Sequence, residues 1–357
     1  MPAIALSAKS ALSEPRNRWI RSATLVGYPE AALAVGLDPE KMLARVGLDL
    51  SCMEDRETQI SFDAHLRLLA ESARLANCPD FGTRAAVQRG TPDYGAVSLL
   101  MREAENLEAA LKFYTSHLPL HADGTFIELD KRFRNPLIFV EIAGRTREES
   151  IQCTQFACVG ITMQIRWLLG PEFQPATISF AFPKPERTEA ISRFFKCPVL
   201  YKQVVSGVVL DRSLLQRPLV TSSPFLRKLA LAQMGTLLQR SPGSFSTKVS
   251  RAIRRMLGEG TAGSESVAEH LGIDRRTLNR RLEREGETFS SILQSVRVEI
   301  ACRALDGSDC SMTQVADATG FETLSSFSRW FQRSLGCTAS AWRARQGEAT
   351  AGDLSKG

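Results

Sequence analysis

Apolar residues recur at helical spacing through most of the first 120 positions. Phe62, Leu66, Leu69, Ala73 and Ala76 lie three or four apart, which aligns them on one face of a helix starting at Ser61 or Asp63 and ending near Asn77. Ahead of it, Asp38 stands as an N-cap with Pro39 in the first helical turn, where an N–H would have no partner anyway. Gly36 and Gly47 mark helix ends. A further helical region is predicted to begin near Trp19, and two amphipathic helices fit residues 94–103 and 107–116. The first third of the chain thus reads as all-helical.

The pattern then changes period. β-Branched and aromatic residues flank a polar stretch containing Asn135 and Pro136, which predicts a hairpin of strands 125–129 and 137–142. A long helix over 148–169 follows and stops at Gly170 and Pro171. Beyond it come a strand at 176–182, a helix at 186–195 and extended pieces at 199–203 and 208–210. Together these make an α+β domain, helix-rich with a small, mostly antiparallel sheet. A helix over 224–239 leads into S-P-G-S, a boundary-like loop near residue 241.

After that boundary the chain repeats itself. The runs S-V-A-E-H-L-G-I-D-R-R-T-L-N-R-R-L (266–282) and S-M-T-Q-V-A-D-A-T-G-F-E-T-L-S-S-F-S-R-W-F (311–331) share one form. A short helix carries Ala268 or Ala316 at its packing face, then come Gly272 or Gly320, an apolar Ile273 or Phe321, and a helix with apolar residues four apart, Leu278 and Leu282 or Phe327 and Phe331. Each copy has the form of a helix-turn-helix, whose second helix can present its opposite face to double-stranded DNA. In the first, Asp274 as N-cap leaves Arg275, Arg276, Asn279 and Arg280 outward, and arginine and asparagine pair bidentately with guanine and adenine. In the second, Thr323 is the N-cap and Leu324, Ser325, Ser328 and Arg329 face outward. That set is less charged and suits phosphates, with Leu324 placed for a thymine methyl or for plain packing. The first helix is therefore expected to discriminate bases and the second to anchor. A joining helix over 289–305, with Phe289, Ile292, Val296, Ile300 and Ala304 on one face, spans roughly 25 Å. Recognition helices at its two ends can enter successive major grooves about 34 Å apart.

The whole-chain quantities add less. A length of 357 residues suits two domains, and a net charge of +6 favours a polyanionic partner. The excess is not localised: basic residues number 15 against 12 acidic over 241–345, and 29 against 25 over 1–240. Only local clustering stands out, with Arg275, Arg276, Arg280, Arg281 and Arg284 facing the single acid Glu283 within 275–284. An arginine-rich helix face is commonly just solvated; the cap, turn and apolar register around this one set it apart. The eight cysteines are scattered singly with no C-x-x-C and no histidine at zinc spacing, which predicts reduced, mostly buried thiols and neither metal nor cofactor. His117 and His121 are four apart but have Pro119 between them and no third ligand. The start carries no targeting pattern, and the most apolar run, 156–169, is short and holds Gln164 and Arg166, so a cytoplasmic protein with no membrane partner is expected. No G-x-S-x-G, P-loop or G-x-G-x-x-G is present to support an enzyme.

The two motifs, the linker stretch R-V-E-I-A-C-R-A-L, the run G-F-E-T-L-S-S-F-S-R-W-F-Q-R-S-L-G and the closing A-W-R resemble the C-terminal DNA-binding domain of AraC/XylS-type transcriptional regulators, over about 245–345. One departure is visible: Ala339 stands where that family usually has a proline, which would have pre-organised the first turn of the last helix. Over about 28–225, the runs G-L-D-P-E-K-M-L-A-R-V-G-L, Y-G-A-V-S-L-L-M-R-E-A-E-N-L-E-A-A-L-K-F-Y and F-F-K-C-P-V-L-Y resemble the effector-binding domain of the subgroup that includes ornithine-utilisation regulators.

The resemblance implies an α+β sensor and an all-α domain with two helix-turn-helix motifs joined by a linker helix. The expected division is a disordered start (1–18), an effector-binding and dimerisation domain (19–225), an interdomain helix and linker (226–243), the DNA-binding domain (244–345) and a disordered tail (346–357). It further implies a homodimeric activator that contacts RNA polymerase and answers to an unknown small-molecule effector. Phe126, Phe139, Trp167 and Phe180 are available to line the effector pocket or to serve as plain core. Two alternatives stay open: a regulator of this family without a diffusible ligand, controlled by abundance or a protein partner, and an enzyme domain tethered to DNA.

Overall fold

The structure, a computed structural model, describes residues 18–131, 134–142, 146–219, 245–257, 261–307 and 311–344. The first 17 positions, the helix expected over 224–239 with the linker 226–243, and the tail 346–357 lie outside the described residues. The described residues form two compact units, drawn essentially from the chain before residue 220 and the chain after 244.

The first unit opens with strand β1 (Trp19–Arg21) where the sequence suggested a helix. Trp19 and Ile20 are strand formers, and tertiary pairing decides the matter, because β1 lies antiparallel to a segment some forty residues on. Helices α1 (Tyr28–Leu33) and α2 (Pro39–Arg45) follow, the latter capped by Asp38, which accepts from the N–H groups of Glu40 and Lys41. Strand β2 (Gln59–Ser61) is the partner of β1, with Ile20 opposite Ile60. Ser61 then caps α3 (Phe62–Leu75), accepting from Ala64 N at 3.2 Å. The predicted stripe Phe62, Leu66, Leu69 and Ala73 is buried, while Ala76 is only partly so because the helix has already ended.

Helix α4 (Phe81–Arg89) was not anticipated, since it is held less by an apolar stripe than by close polar packing. Gly82 lies so near the long helix of this unit that a Cβ there would come within 2.1 Å of Gln152 O, and its N–H donates to Gln152 Oε1 at 2.8 Å. Helices α5 (Ala96–Arg102) and α6 (Leu107–His117) match expectation, as do strands β3 (Thr125–Asp130) and β4 (Leu137–Ile142), paired antiparallel. The long helix α7 (Arg147–Leu169) starts at a capping box of Thr146 and Glu149 and stops at Gly170. Strand β5 (Thr177–Ser179) is shorter than the predicted 176–182 and helix α8 (Glu189–Phe195) starts later than 186. Pro183 and Pro185, which lack the N–H a ladder needs, separate the two. Strands β6 (Val199–Leu200) and β7 (Ser206–Val209) complete a five-stranded sheet of order β3-β4-β7-β5-β6, antiparallel except for β5 and β6. One continuous core joins the helices to this sheet.

The second unit is all helical: α9 (Phe245–Leu257), α10 (Ser264–His270), α11 (Arg275–Glu283), α12 (Phe289–Gly307), α13 (Met312–Ala318), α14 (Leu324–Leu335) and a closing helix over 339–344. It holds two cores. Ile292 and Val296 of α12 pack with Val249, Ile253, Val267, Leu278 and Leu282; Val298, Ala301 and Leu305 of the same helix pack with Val315, Phe327 and Phe331. The sequence suggested one buried face on this helix, ending in Ala304. Instead Val296 and Val298 stand about 200° apart around the axis, so the two cores take different sides of the helix; Ile300 stays with the first core and Ala304 belongs with the second. Where the family pattern has proline, the closing helix is started by Thr338, whose Oγ1 accepts from Ala341 N at 3.1 Å, and Ala339 is buried.

Candidate nucleic-acid interface

Each helix-turn-helix is built by the same local chemistry. Gly272 and Gly320 sit at φ of 68° and 71°, the left-handed region that an L side chain adopts only at a cost. Ile273 N then reaches back to Ala268 O, and Phe321 N to Ala316 O, both at 3.0 Å, closing the end of the first helix. The second helix is capped by Asp274, whose Oδ1 accepts from Thr277 N at 2.8 Å, or by Thr323, whose Oγ1 accepts from Ser326 N at 3.2 Å. The hydrogen bonds from the Thr277 backbone and hydroxyl hold the Asp274 carboxyl below its ordinary value. With the entry fixed, Leu278 and Leu282 on α11, and Phe327 and Phe331 on α14, are fully buried. Everything on the opposite faces is left to solvent.

On α11, Arg275, Arg276 and Arg280 are exposed and Asn279 is half-buried; together with Glu283 they line one shallow concavity. The predicted set is therefore brought together. Arg275 is shared with Glu265 of α10, Nη1 to Oε1 at 3.2 Å, whereas Arg276 and Arg280 have no ion-pair partner among the described residues. Arg281, also part of the sequence cluster, turns the other way and lies over the Phe245 ring at 5.4 Å. On α14, Leu324 is 42% exposed and Ser325, Ser328 and Arg329 are exposed beside it. Leu324 thus stands outside the buried core. Arg329 Nε approaches Ser325 O at 3.4 Å, which holds its guanidinium along the helix.

Residues 36–219 match the family model of the arabinose-binding domain of AraC transcription regulator, N-terminal, and residues 267–345 match a helix-turn-helix domain model. The chain belongs to the AraC family of transcription regulators. This AraC-family chain is 26% identical over 330 residues to the HTH-type transcriptional regulator VirS of Mycobacterium tuberculosis, covering 92% of itself and 97% of VirS. It is 25% identical over 179 residues to the ornithine utilization regulator of Pseudomonas aeruginosa, covering 50% of itself and 52% of that protein. Among solved structures, the transcriptional regulator CdpR from Pseudomonas aeruginosa covers 74% of this chain and 87% of its own at 20% identity and a TM-score of 0.37, too slight a likeness in shape to argue from. As an AraC-family member the protein is a DNA-binding transcription regulator with an N-terminal domain of the effector-binding type.

Several supports of the AraC-type domain were invisible in the sequence because they join distant positions. Arg297 of α12 donates to Thr319 O at 3.1 Å and lies 4.5 Å from the Phe321 ring centre, bracing the second turn. Trp330 Nε1 donates to Gln294 Oε1 at 2.8 Å, tying α14 to α12. Glu285 accepts from the N–H groups of Phe245 and Ser246 and so caps α9. In the N-terminal domain the aromatic residues named as candidate pocket lining do something else. Phe126 and Phe139 meet edge to face at 5.8 Å across the β3–β4 hairpin, Phe180 stacks on Phe182, and Trp167 lies on the surface under Arg102. The His117 ring stacks on Phe113, with Nδ1 at 2.8 Å from Phe113 O, and no metal-holding cluster is found among the described residues. No helix among the described residues is long and apolar enough to cross a membrane.

Proposed function

We propose that the protein activates transcription by seating α11 and α14 in successive major grooves on one side of a duplex, under the control of a small molecule bound by its N-terminal domain. The observation that carries this reading is the paired construction: two capped helices each bury one face in a core and leave the opposite face open. Between them, the 19 residues of α12 span about 28 Å, a separation suited to grooves about 34 Å apart.

In this reading Arg276 and Arg280, which have no ion-pair partner among the described residues, read base edges together with Asn279. Arg275, divided between Glu265 and the duplex, contacts phosphate. On α14 the hydroxyls of Ser325 and Ser328 and the Arg329 guanidinium hold the backbone, and Leu324 meets a thymine methyl. The sensor is taken as residues 19–225, the linker as 226–243 and the DNA-binding domain as 244–345. The regulator acts in the cytoplasm as a homodimer and touches RNA polymerase from its site, and the effector shifts the population competent to bind.

Footprinting across the DNA flanking its own gene, with Arg276→Ala and Arg280→Ala beside the parent chain, tests the reading. Each loss of a bidentate base contact is expected to weaken protection about 5- to 150-fold and to relax sequence preference at one position. Sequence-specific protection retained by both variants would sink the assignment to α11.

A further inference from the structure

A small cavity of about 40 Å³ lies in the N-terminal domain among α3, α4, α6 and α7, room for roughly three waters. Its polar lining is Thr24, His65, Arg89, Tyr94, Tyr114, His121 and Thr125, with the Cys153 thiol beside them, and among the described residues no aspartate or glutamate lines it. Three of these groups lack what they need. His65 is 1% exposed and among the described residues neither ring nitrogen has a hydrogen-bond partner; Thr24 is 2% exposed and its hydroxyl has none there either. Arg89, the last residue of α4, has an Nε sealed from solvent and without a partner, and its guanidinium lies 4.1 Å from the Phe156 ring centre. An aromatic face offsets only part of the cost of taking a guanidinium out of water. The nearby Arg21, which lies outside the lining and touches His121, is paired with Glu57.

The chain is fitted to hold Arg89 in this place. Position 160 on α7 is glycine, and a Cβ there would sit 2.6 Å from Arg89 Nη2. The Tyr114 hydroxyl donates to the Tyr94 hydroxyl at 3.1 Å, which leaves the Tyr94 O–H to be donated elsewhere. In native proteins the large majority of buried side-chain polar atoms have a hydrogen-bond partner. A guanidinium, an imidazole and hydroxyls left over around one cavity describe the complement of an anion with several acceptor lone pairs.

We infer that this cavity binds the carboxylate of a small organic acid, with Arg89 as its counter-charge and His65, Thr24 and Tyr94 as hydrogen-bond partners. The inference rests on reading residues 36–219 as an effector-binding domain. A monocarboxylate fits better than a phosphate, because one uncompensated cation answers one negative charge and the remaining walls, Ile20, Ile127 and Phe156 among them, are apolar. The cavity admits the carboxylate alone; the rest of the acid leaves past Arg89, Thr125 and Ala157, the lining residues that are partly exposed.

The test is calorimetric titration and thermal melting of the full chain with acetate, hexanoate, decanoate and benzoate. The primary amides of the same acids and inorganic phosphate run in parallel. At least one acid is expected to bind saturably and raise the melting temperature with concentration, with its amide and phosphate at least tenfold weaker. Arg89→Gln is expected to weaken that acid at least tenfold and Arg89→Lys less. His65→Gln, which keeps a polar side chain of similar reach, serves if the Arg89 variants fail to fold, and should weaken the acid severalfold. Equal response to acid and amide, a response to phosphate as strong as to the acids, undiminished binding by the folded variants, or no saturable response to any acid overturns the inference. The titrations contain no DNA, so their failure is separate from failure of the footprint.

Discussion

The glycines of the two turns offer a comparison the molecule has already set up. Gly272 and Gly320 share nearly the same φ, 68° and 71°, and the same role in closing the first helix of each motif. Their surroundings differ. A Cβ on Gly272 would meet nothing within 4 Å, whereas one on Gly320 would lie 2.9 Å from Leu257 Cδ2 and 3.1 Å from the Leu257 backbone oxygen. Gly272→Ala should therefore cost only the left-handed conformation, about 1–2 kcal/mol. Gly320→Ala should add the overlap, which a fully buried leucine and its backbone can relieve only by shifting, for a total of about 2–5 kcal/mol. Amide hydrogen exchange on the full chain reads each motif separately, with a tenfold loss of protection for each 1.4 kcal/mol. Amides of α10 and α11 should lose about tenfold in Gly272→Ala, and those of α13 and α14 more than thirtyfold in Gly320→Ala. Equal losses, or a larger loss at Gly272, would refute the argument that Leu257 sets the difference.

Thr323→Ala removes the acceptor for Ser326 N and should destabilise the start of α14 by about 1 kcal/mol, seen as faster exchange there and little change in α11. His65 is driven down to about 3, first by burial and then by the nearby Arg89 charge. The folded protein therefore keeps this ring neutral while the unfolded chain takes up a proton below about 6.5. Stability owed to this group is present above that value and falls by about 1.4 kcal/mol per pH unit as pH drops toward 3. Urea unfolding from pH 7 to 4 should show a shallower decline for His65→Gln; an unchanged slope would contradict the buried neutral ring. Gly160→Ala, which crowds the Arg89 guanidinium, should lower the melting temperature and spare the exchange rates of α11 and α14.

What the sequence made legible here was whatever is decided within a few residues. Asp38, Ser61, Asp274 and Thr323 all cap the helices expected of them, because a cap is a bond to an N–H two or three positions away. The outward residues of α11 and α14 followed from helical period alone. The misses share a different cause. Strand β1 exists only through a partner forty residues downstream, α4 through glutamines on α7, and the second buried face of α12 through a lobe that follows it. The cavity around Arg89 was the least readable feature, since its residues come from many segments between Ile20 and Ala157 that only the fold brings together.

The division of α12 between two cores has a consequence for how such a domain can vary. Both lobes pack on one continuous rod, so the phase between the two DNA-facing surfaces depends on the number of residues between Val296 and Val298. One residue inserted there would turn the second lobe by about 100° around the rod and carry its reading surface off the duplex. The rod acts as a gauge block: its exposed side chains can be exchanged so long as its buried positions and its length in residues are kept.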